Sequence, residues 1–117
     1  MKVIFVCSPF QGKRENVERA KRYCRMLVDM GYIPIAPHVY FSQFMDDSNP
    51  EDRKKALEMN KKILEFCDEL WIFGDEITEG MSIEIEHFKR IKGKIELDFL
   101  KNELIGILIK VVCSVKN

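Results

Sequence analysis

Two short apolar runs constrain this chain more than anything else in it. Val3-Ile4-Phe5-Val6-Cys7 and Leu70-Trp71-Ile72-Phe73 carry no polar residue at all. Each is too short for a helix, and neither alternates as a strand with one wet face would. Such segments are strands buried on both faces, the pattern of a parallel sheet covered by helices. The first is closed by Ser8-Pro9; the second is entered through Asp68-Glu69 and left through Gly74-Asp75.

What lies between supplies the covering helices. Apolar residues recur at helical spacing from Asn16 to Met30 (Val17, Ala20, Tyr23, Cys24, Leu27, Val28), with Asn16 as the expected N-cap and Gly31 as the stop. Tyr32 to Pro37 is extended, and Pro34 assigns it to a sheet edge or a strand start. Val39 to Asn49 is aromatic-rich and is expected to form an ordered loop or short helix over the strand ends. Pro50 suits the first turn of a helix capped by Asn49 and running to about Phe66, with Ala56, Met59, Ile63 and Phe66 on one face. A further helix should cover Gly80 to Lys92 behind Thr78, and Ile95 to Phe99 reads as another strand. The tail from Leu100 to Asn117 mixes helical and strand signals. The order β-α-β-α-β-α-β predicts an α/β fold with a parallel sheet and right-handed crossovers. At 117 residues the chain is expected to form a single domain, residues 1–117.

Composition excludes several functions. Nineteen Lys and Arg balance nineteen Asp and Glu, which argues against a dedicated nucleic-acid binder. The balance hides an asymmetry. Gln11 to Arg25 holds six basic residues against two acidic ones, while Ile63 to Phe88 holds eight acidic residues and no Lys or Arg. On the expected fold the basic run surrounds the first loop, where it could draw in a phosphate; otherwise these charges only solvate outer helix faces. Cys7, Cys24, Cys67 and Cys113 include no C-x-x-C pair, and His38 and His87 stand far apart, so no metal site is expected. Cys7 and Cys67 flank apolar runs, where a free thiol acts as a small hydrophobe. No secretory signal is visible, and the late run Leu104 to Ile109 is cut by Lys110, far short of a span of about 20 residues. A reduced cytoplasmic protein that does not enter a membrane is the expectation.

In parallel α/β sheets ligands bind outside the carboxyl ends of the strands. Those ends are Ser8 to Gly12, Pro37 to Phe44 and Gly74 to Gly80. The first loop, Cys7-Ser8-Pro9-Phe10-Gln11-Gly12-Lys13-Arg14, joins a strand to a helix N-terminus and so offers free N–H groups, the Ser8 hydroxyl and nearby cations to a phosphate. It matches neither the Walker nor the dinucleotide glycine pattern; the plainer reading is an ordinary connection. Thr78-Glu79-Gly80-Met81-Ser82-Ile83-Glu84-Ile85-Glu86 opens the last helix. Gly80 allows close approach of a ligand, and Glu84 lies near enough to the helix start to reach the cleft. Glu84 and Glu86 are about 200° apart around the helix, so at most one can face the site. Asp68 begins a buried strand, where an acid must be paired or hydrogen-bonded; it either serves a site or caps the preceding turn. Phe41 and its aromatic neighbours either stack on a base or form a lid on the core, and His38 is a candidate acid or base whose partner the sequence does not identify.

Taken together, Lys2 to Arg25, Ala36-Pro37-His38, Phe41 to Asp47, Cys67 to Asp75 and Thr78-Glu79-Gly80-Met81 resemble the small phage and bacterial proteins of the DUF4406 family, within the nucleoside 2-deoxyribosyltransferase-like superfamily. The resemblance covers residues 1 to 95. It implies a flavodoxin-like three-layer sandwich with a mainly parallel sheet of four to five strands. It also implies cleavage of the N-glycosidic bond of a nucleoside or nucleotide by a Glu nucleophile, as in 2-deoxyribosyltransferases and deoxynucleoside 5′-monophosphate N-glycosidases. In those enzymes an Asp opens the third strand and the nucleophile follows sixteen residues later, at the head of an E-L-G motif. Asp68 and Glu84 have that separation, which implies that both are catalytic. Thr78 and Gly80 fall where the glycosidases hold a 5′-phosphate. Ser8, with Phe10 and Gly12, falls in the loop that contacts substrate. His38 and Phe41 are candidate base contacts. Glu86 stands in place of the motif's Gly, Ser82 in place of another Gly near the phosphate, and Pro9-Phe10-Gln11 in place of an Ile-Arg-type loop. The resemblance further implies no cofactor, no nucleic-acid or membrane partner, and a homo-oligomer. The alternative is a non-catalytic nucleotide-binding module of phage or mobile-element origin, and a third reading is an assembly protein with no ligand.

Overall fold

The computed structural model describes residues 1–92, 95–102 and 107–114. It is a mixed α/β fold built on a small open sheet. Strand β1 (Val3–Cys7) lies between β2 (Ile33–Ile35) and β3 (Glu69–Ile72), and all three are parallel. Pro34 lies in β2, which is an edge strand as its lost N–H requires. Helix α1 (Arg14–Asp29) connects β1 to β2. Helices α2 (Pro37–Phe41) and α3 (Pro50–Leu64) connect β2 to β3, and α4 (Glu79–Lys92) follows β3. Two late strands, β4 (Ile95–Asn102) and β5 (Ile107–Ser114), pair antiparallel, and β5 lies antiparallel beside β3. The expected strand at Ile95 to Phe99 is therefore present, but it reaches β3 only through β5. Residues 103–106 and 115–117 of the tail lie outside the described residues.

The unbroken apolar runs are explained by two cores, one on each face of the sheet. Phe5, Cys7, Leu70 and Ile72 point to one side and pack with Leu64 of α3 and with Met81, Ile85 and Phe88 of α4. Ile4, Val6, Trp71 and Phe73 point to the other and pack with Tyr23 and Leu27 of α1. From Ile4 to Cys7 and from Leu70 to Phe73 each alternate residue has its own apolar partner, and Glu69, which opens β3, is the buried polar exception. Tyr23 stacks on Phe73 at a centroid distance of 4.5 Å, and Tyr32 meets Trp71 edge-on at 5.2 Å. Cys7 and Cys67 are buried thiols within this packing.

Two helix expectations are corrected. The cap of α1 is Lys13, not Asn16; Asn16 is buried inside the first turn, where its Nδ2 donates to the Phe10 carbonyl at 2.8 Å and so ties the first loop to the helix. The stripe expected on α3 holds for Ile63, which packs against the core, and for the half-buried Ala56, but not for Met59 or Phe66. Leu64 and Asn60 point inward, while Met59 and Phe66 are exposed. A stripe chosen on hydrophobicity passes over Asn60, although a polar residue faces inward whenever it has a partner there. Asn49 does cap α3, accepting the N–H groups of Glu51 and Asp52 at 2.9 and 3.2 Å.

Candidate functional site

The carboxyl ends of the parallel strands open into a cavity of about 180 Å³. Its floor comes from the ends of β1 and α4, and its walls come from the first loop, from α2 with the segment after it, and from α3. Of the residues singled out in the sequence, Ser8, Phe10, His38, Phe41, Thr78, Gly80 and Glu84 all line it. Segments up to 76 residues apart thus converge because the topology brings the ends of β1, β2 and β3 together.

Glu84 lies in the second turn of α4. Asn60 of α3 donates through Nδ2 to Glu84 Oε2 at 3.1 Å, and the Cys7 thiol approaches Glu84 Oε1 at 3.6 Å. Burial pushes the Glu84 carboxyl up to about 8, against the pull of those two donors toward the charged form. The Cys7 thiol is pushed up by its own burial first and by the adjacent carboxylate second, so it is a neutral donor and not a nucleophile. Glu86, about 200° around the helix, is exposed and pairs with Lys89.

His38 has the partner that the sequence could not name. Its Nε2 and Ser8 Oγ share a hydrogen bond of 3.0 Å, and the Phe10 ring lies 5.6 Å from the imidazole. Burial lowers His38 to about 4, so the ring is neutral at physiological pH and holds Ser8 by tautomer rather than by charge. Thr78 caps α4 by accepting the Met81 N–H through Oγ1 at 3.3 Å. A Cβ built on Gly80 would meet nothing within 4 Å, so the helix start there is open.

Three expected site residues are not on the cavity. Asp68 is exposed at the amino end of β3. Its Oδ2 accepts the Val3 N–H at 2.7 Å, and its own N–H donates to the Val3 carbonyl at 2.8 Å. It clasps the amino ends of β1 and β3, a whole strand length (about 13 Å) from the cavity. The spacing of sixteen residues is real, but β3 runs between the two acids and separates them. Gly12, at φ +67°, turns the first loop against Asp47, whose side chain a Cβ there would touch at 3.4 Å. Ser82 is exposed on α4.

Asn60 is the site residue that the sequence reading does not single out, since it falls outside the apolar stripe assigned to α3. The charge of the cavity was missed too. The basic run of α1 contributes no cation to the lining. The walls carry instead Asp46, Asp47, Asp52 and Glu79, against one cation among the described residues, Arg53, which pairs with Asp47 at 3.6 Å. All but Glu79 come from the segment between α2 and α3 and from the start of α3, outside both charged runs noted in the sequence. Among the described residues no group of three or more Asp, Glu, His or Cys is arranged to hold a metal ion, and no helix is long and apolar enough to cross a membrane.

Fold and cavity together define an α/β protein with a cavity at the carboxyl ends of its parallel strands. The chain belongs to the family described as a domain of unknown function, DUF7768, whose sequence model matches residues 2–98. No curated protein and no solved structure matches it.

Proposed function

We propose that the cavity cleaves the N-glycosidic bond of a nucleoside-type substrate with Glu84 as nucleophile. In this reading the chain is a relative of the nucleoside 2-deoxyribosyltransferase-like superfamily and of DUF4406-type proteins, with a flavodoxin-like three-layer sandwich whose mainly parallel sheet has four to five strands. It works as a cytoplasmic homo-oligomer. The observation that carries the proposal is the setting of Glu84: a carboxyl on the cavity floor, fixed from two other elements by Asn60 and Cys7.

The carboxylate attacks C1′ through an oxocarbenium-like transition state, the base departs, and water or a second base resolves the glycosyl ester. Asn60 and Cys7 hold the two carboxylate oxygens, so attack requires no reorientation of the nucleophile. Ser8, fixed by His38, and the open helix start at Gly80 are placed to hold the sugar. Phe10 and Phe41 provide apolar walls for the base. The acidic lining favours the nucleoside over its 5′-monophosphate, since four carboxylates face a phosphate that only Arg53 could balance. Asp68 has no part in this chemistry.

Deoxynucleosides and their monophosphates are incubated with the protein and free base is followed by chromatography. Base release that disappears in Glu84→Ala supports the proposal, and release from none of the substrates overturns it. A second reading, a binding module that performs no chemistry, draws on the Glu84 carboxyl standing near 8: at pH 7 most molecules hold it neutral, suited to donate a hydrogen bond to a ligand. Thermal stabilisation by nucleosides without turnover across pH 6 to 10 would decide for that module.

A further inference from the structure

Breaking a bond to a neutral base leaves negative charge on the departing ring nitrogen unless a proton reaches it. The cavity is poorly equipped to deliver one. Asp68, the other acid that the resemblance makes catalytic, lies at the other end of β3. Ser48 donates to Asp46 through both its N–H and its hydroxyl, which holds that carboxyl below its ordinary range. Asp47 faces the Arg53 guanidinium. Asp52 accepts the Asp46 N–H at 2.9 Å. His38 is neutral and engaged with Ser8, and Glu84 must lose its own proton to attack. Glu79 also lines the cavity but is exposed to solvent on the first turn of α4. Among the described residues the lining thus offers negative charge and, apart from Glu84 itself, no buried acid to protonate a leaving base.

A second observation points to a ligand at the same wall. Asn60 is 9% exposed, lines the cavity and donates to Glu84, yet its Oδ1 has no hydrogen-bond partner among the described residues. A buried acceptor left empty costs about 1–3 kcal/mol; this atom is closed off from solvent, so a donor of a bound molecule reaches it once the Asn60 amide turns toward the cavity.

We propose that the substrate is a cationic N-glycoside, in which the base already carries a positive charge at the ring nitrogen bonded to C1′, as in the pyridinium and N-alkylpurinium classes. This rests on Glu84 as nucleophile. A Glu84 carboxylate oxygen forms the bond to C1′ as the C1′–N bond breaks. The bonding pair returns to the ring nitrogen and cancels its charge, so the base leaves neutral with no proton transferred. Water then cleaves the ester, giving the free sugar, the regenerated carboxylate and one proton to solvent. Asp46, Asp52 and Glu79 attract the cation on entry, and a base of this kind needs no general acid.

The test separates charge preference from turnover. Binding of N1-methylnicotinamide, a cation, and of nicotinamide, its neutral counterpart, is measured by calorimetry. Base release from nicotinamide riboside and from uridine is measured in parallel, with spontaneous rates subtracted. The cation is expected to bind about tenfold tighter than nicotinamide, and the gap should narrow in Glu79→Gln and in 0.5 M salt. Nicotinamide riboside should be cleaved about tenfold or more faster than uridine, measured as kcat/KM. Glu79 is exposed on the first turn of α4, so its substitution leaves the fold intact; Asp52→Asn is the second variant. Equal binding of the two probes overturns the inference. Faster cleavage of uridine overturns the cationic class and leaves Glu84 as nucleophile. Cation-selective binding with no glycoside cleaved overturns the nucleophile, and the substrate proposal with it.

Discussion

The two ends of the central strands each carry a glutamate withdrawn from solvent, and the two are treated in opposite ways. At the amino end Glu69 is 7% exposed and has strong donors for both oxygens: Lys2 Nζ on Oε2 and the Trp71 indole N–H on Oε1, each at 2.8 Å. Beside it Asp68 closes a two-way clasp with Val3. At the carboxyl end Glu84 meets only an amide and a thiol, and its neighbour Asn60 keeps an empty acceptor. The amino end is built to be finished and the carboxyl end to be completed by something else. His87 Nε2 is likewise buried without a partner among the described residues but lies off the cavity, so the setting of Asn60 and Glu84 on the cavity, and not an empty polar atom alone, marks the site.

Four experiments would break or sharpen that contrast. The largest effect is expected from Glu84→Gln, which removes the nucleophile but keeps the contacts of an amide. Base release should fall by roughly a thousandfold or more, while circular dichroism stays unchanged. A residual rate within tenfold of wild type would return Glu84 to a structural role and make the two ends alike.

Glu69→Ala is the reciprocal change. It leaves the buried Trp71 N–H without an acceptor and should cost about 1–3 kcal/mol in urea unfolding, with KM unaltered. Unchanged stability would mean that the amino end is not held by these bonds.

The pH dependence should differ as well. Because the Glu84 carboxyl is raised to about 8 in the fold, the native state keeps a proton that the unfolded chain loses above its ordinary pKa. The contribution of this group is neutral below that ordinary value. It turns progressively unfavourable as pH rises toward 8 and is level beyond it. Thermal melts should therefore show Glu84→Gln gaining on wild type between pH 5 and 8, by several degrees. Catalysis has the opposite sign: a carboxylate nucleophile requires the proton to be absent, so kcat should rise with pH through about 8. Parallel melting curves, or a rate that falls over this range, would remove the carboxylate from the mechanism.

The smallest effect belongs to Asp68→Asn. The amide oxygen can still accept the Val3 N–H, so stability should change by less than about 1 kcal/mol and kcat/KM by less than about twofold. A hundredfold loss of activity would restore Asp68 to the chemistry and contradict its placement at the amino end.

Much of this was legible in the residues, and the physical reason is consistent. Continuous apolar runs specified β1 and β3, because burial on both faces leaves no alternative. Asn49-Pro50 specified the start of α3, because cap and first-turn chemistry are local. Strand-end logic brought Ser8, His38, Thr78, Gly80 and Glu84 to one cavity. Failures came where a property depends on what lies opposite. Asn60 reads as a blemish in a helix until Glu84 is seen across from it. The acids of the α2–α3 segment read as loop solvation until they are seen to wall a cavity. Asp68 matched a spacing, but spacing along the chain does not record which end of a strand a residue occupies.

Gly74 follows β3 at φ +95°, and a Cβ there would come within 3.2 Å of the Pro9 ring. The loops after the two central strands are thus seated against each other, although neither Gly74 nor Pro9 lines the cavity. Position 74 should therefore stay glycine throughout the family, because its left-handed backbone strains any L side chain whatever residue stands at position 9. An alignment of the family would show that glycine as a historical record of the cleft, kept by a residue that does not line it.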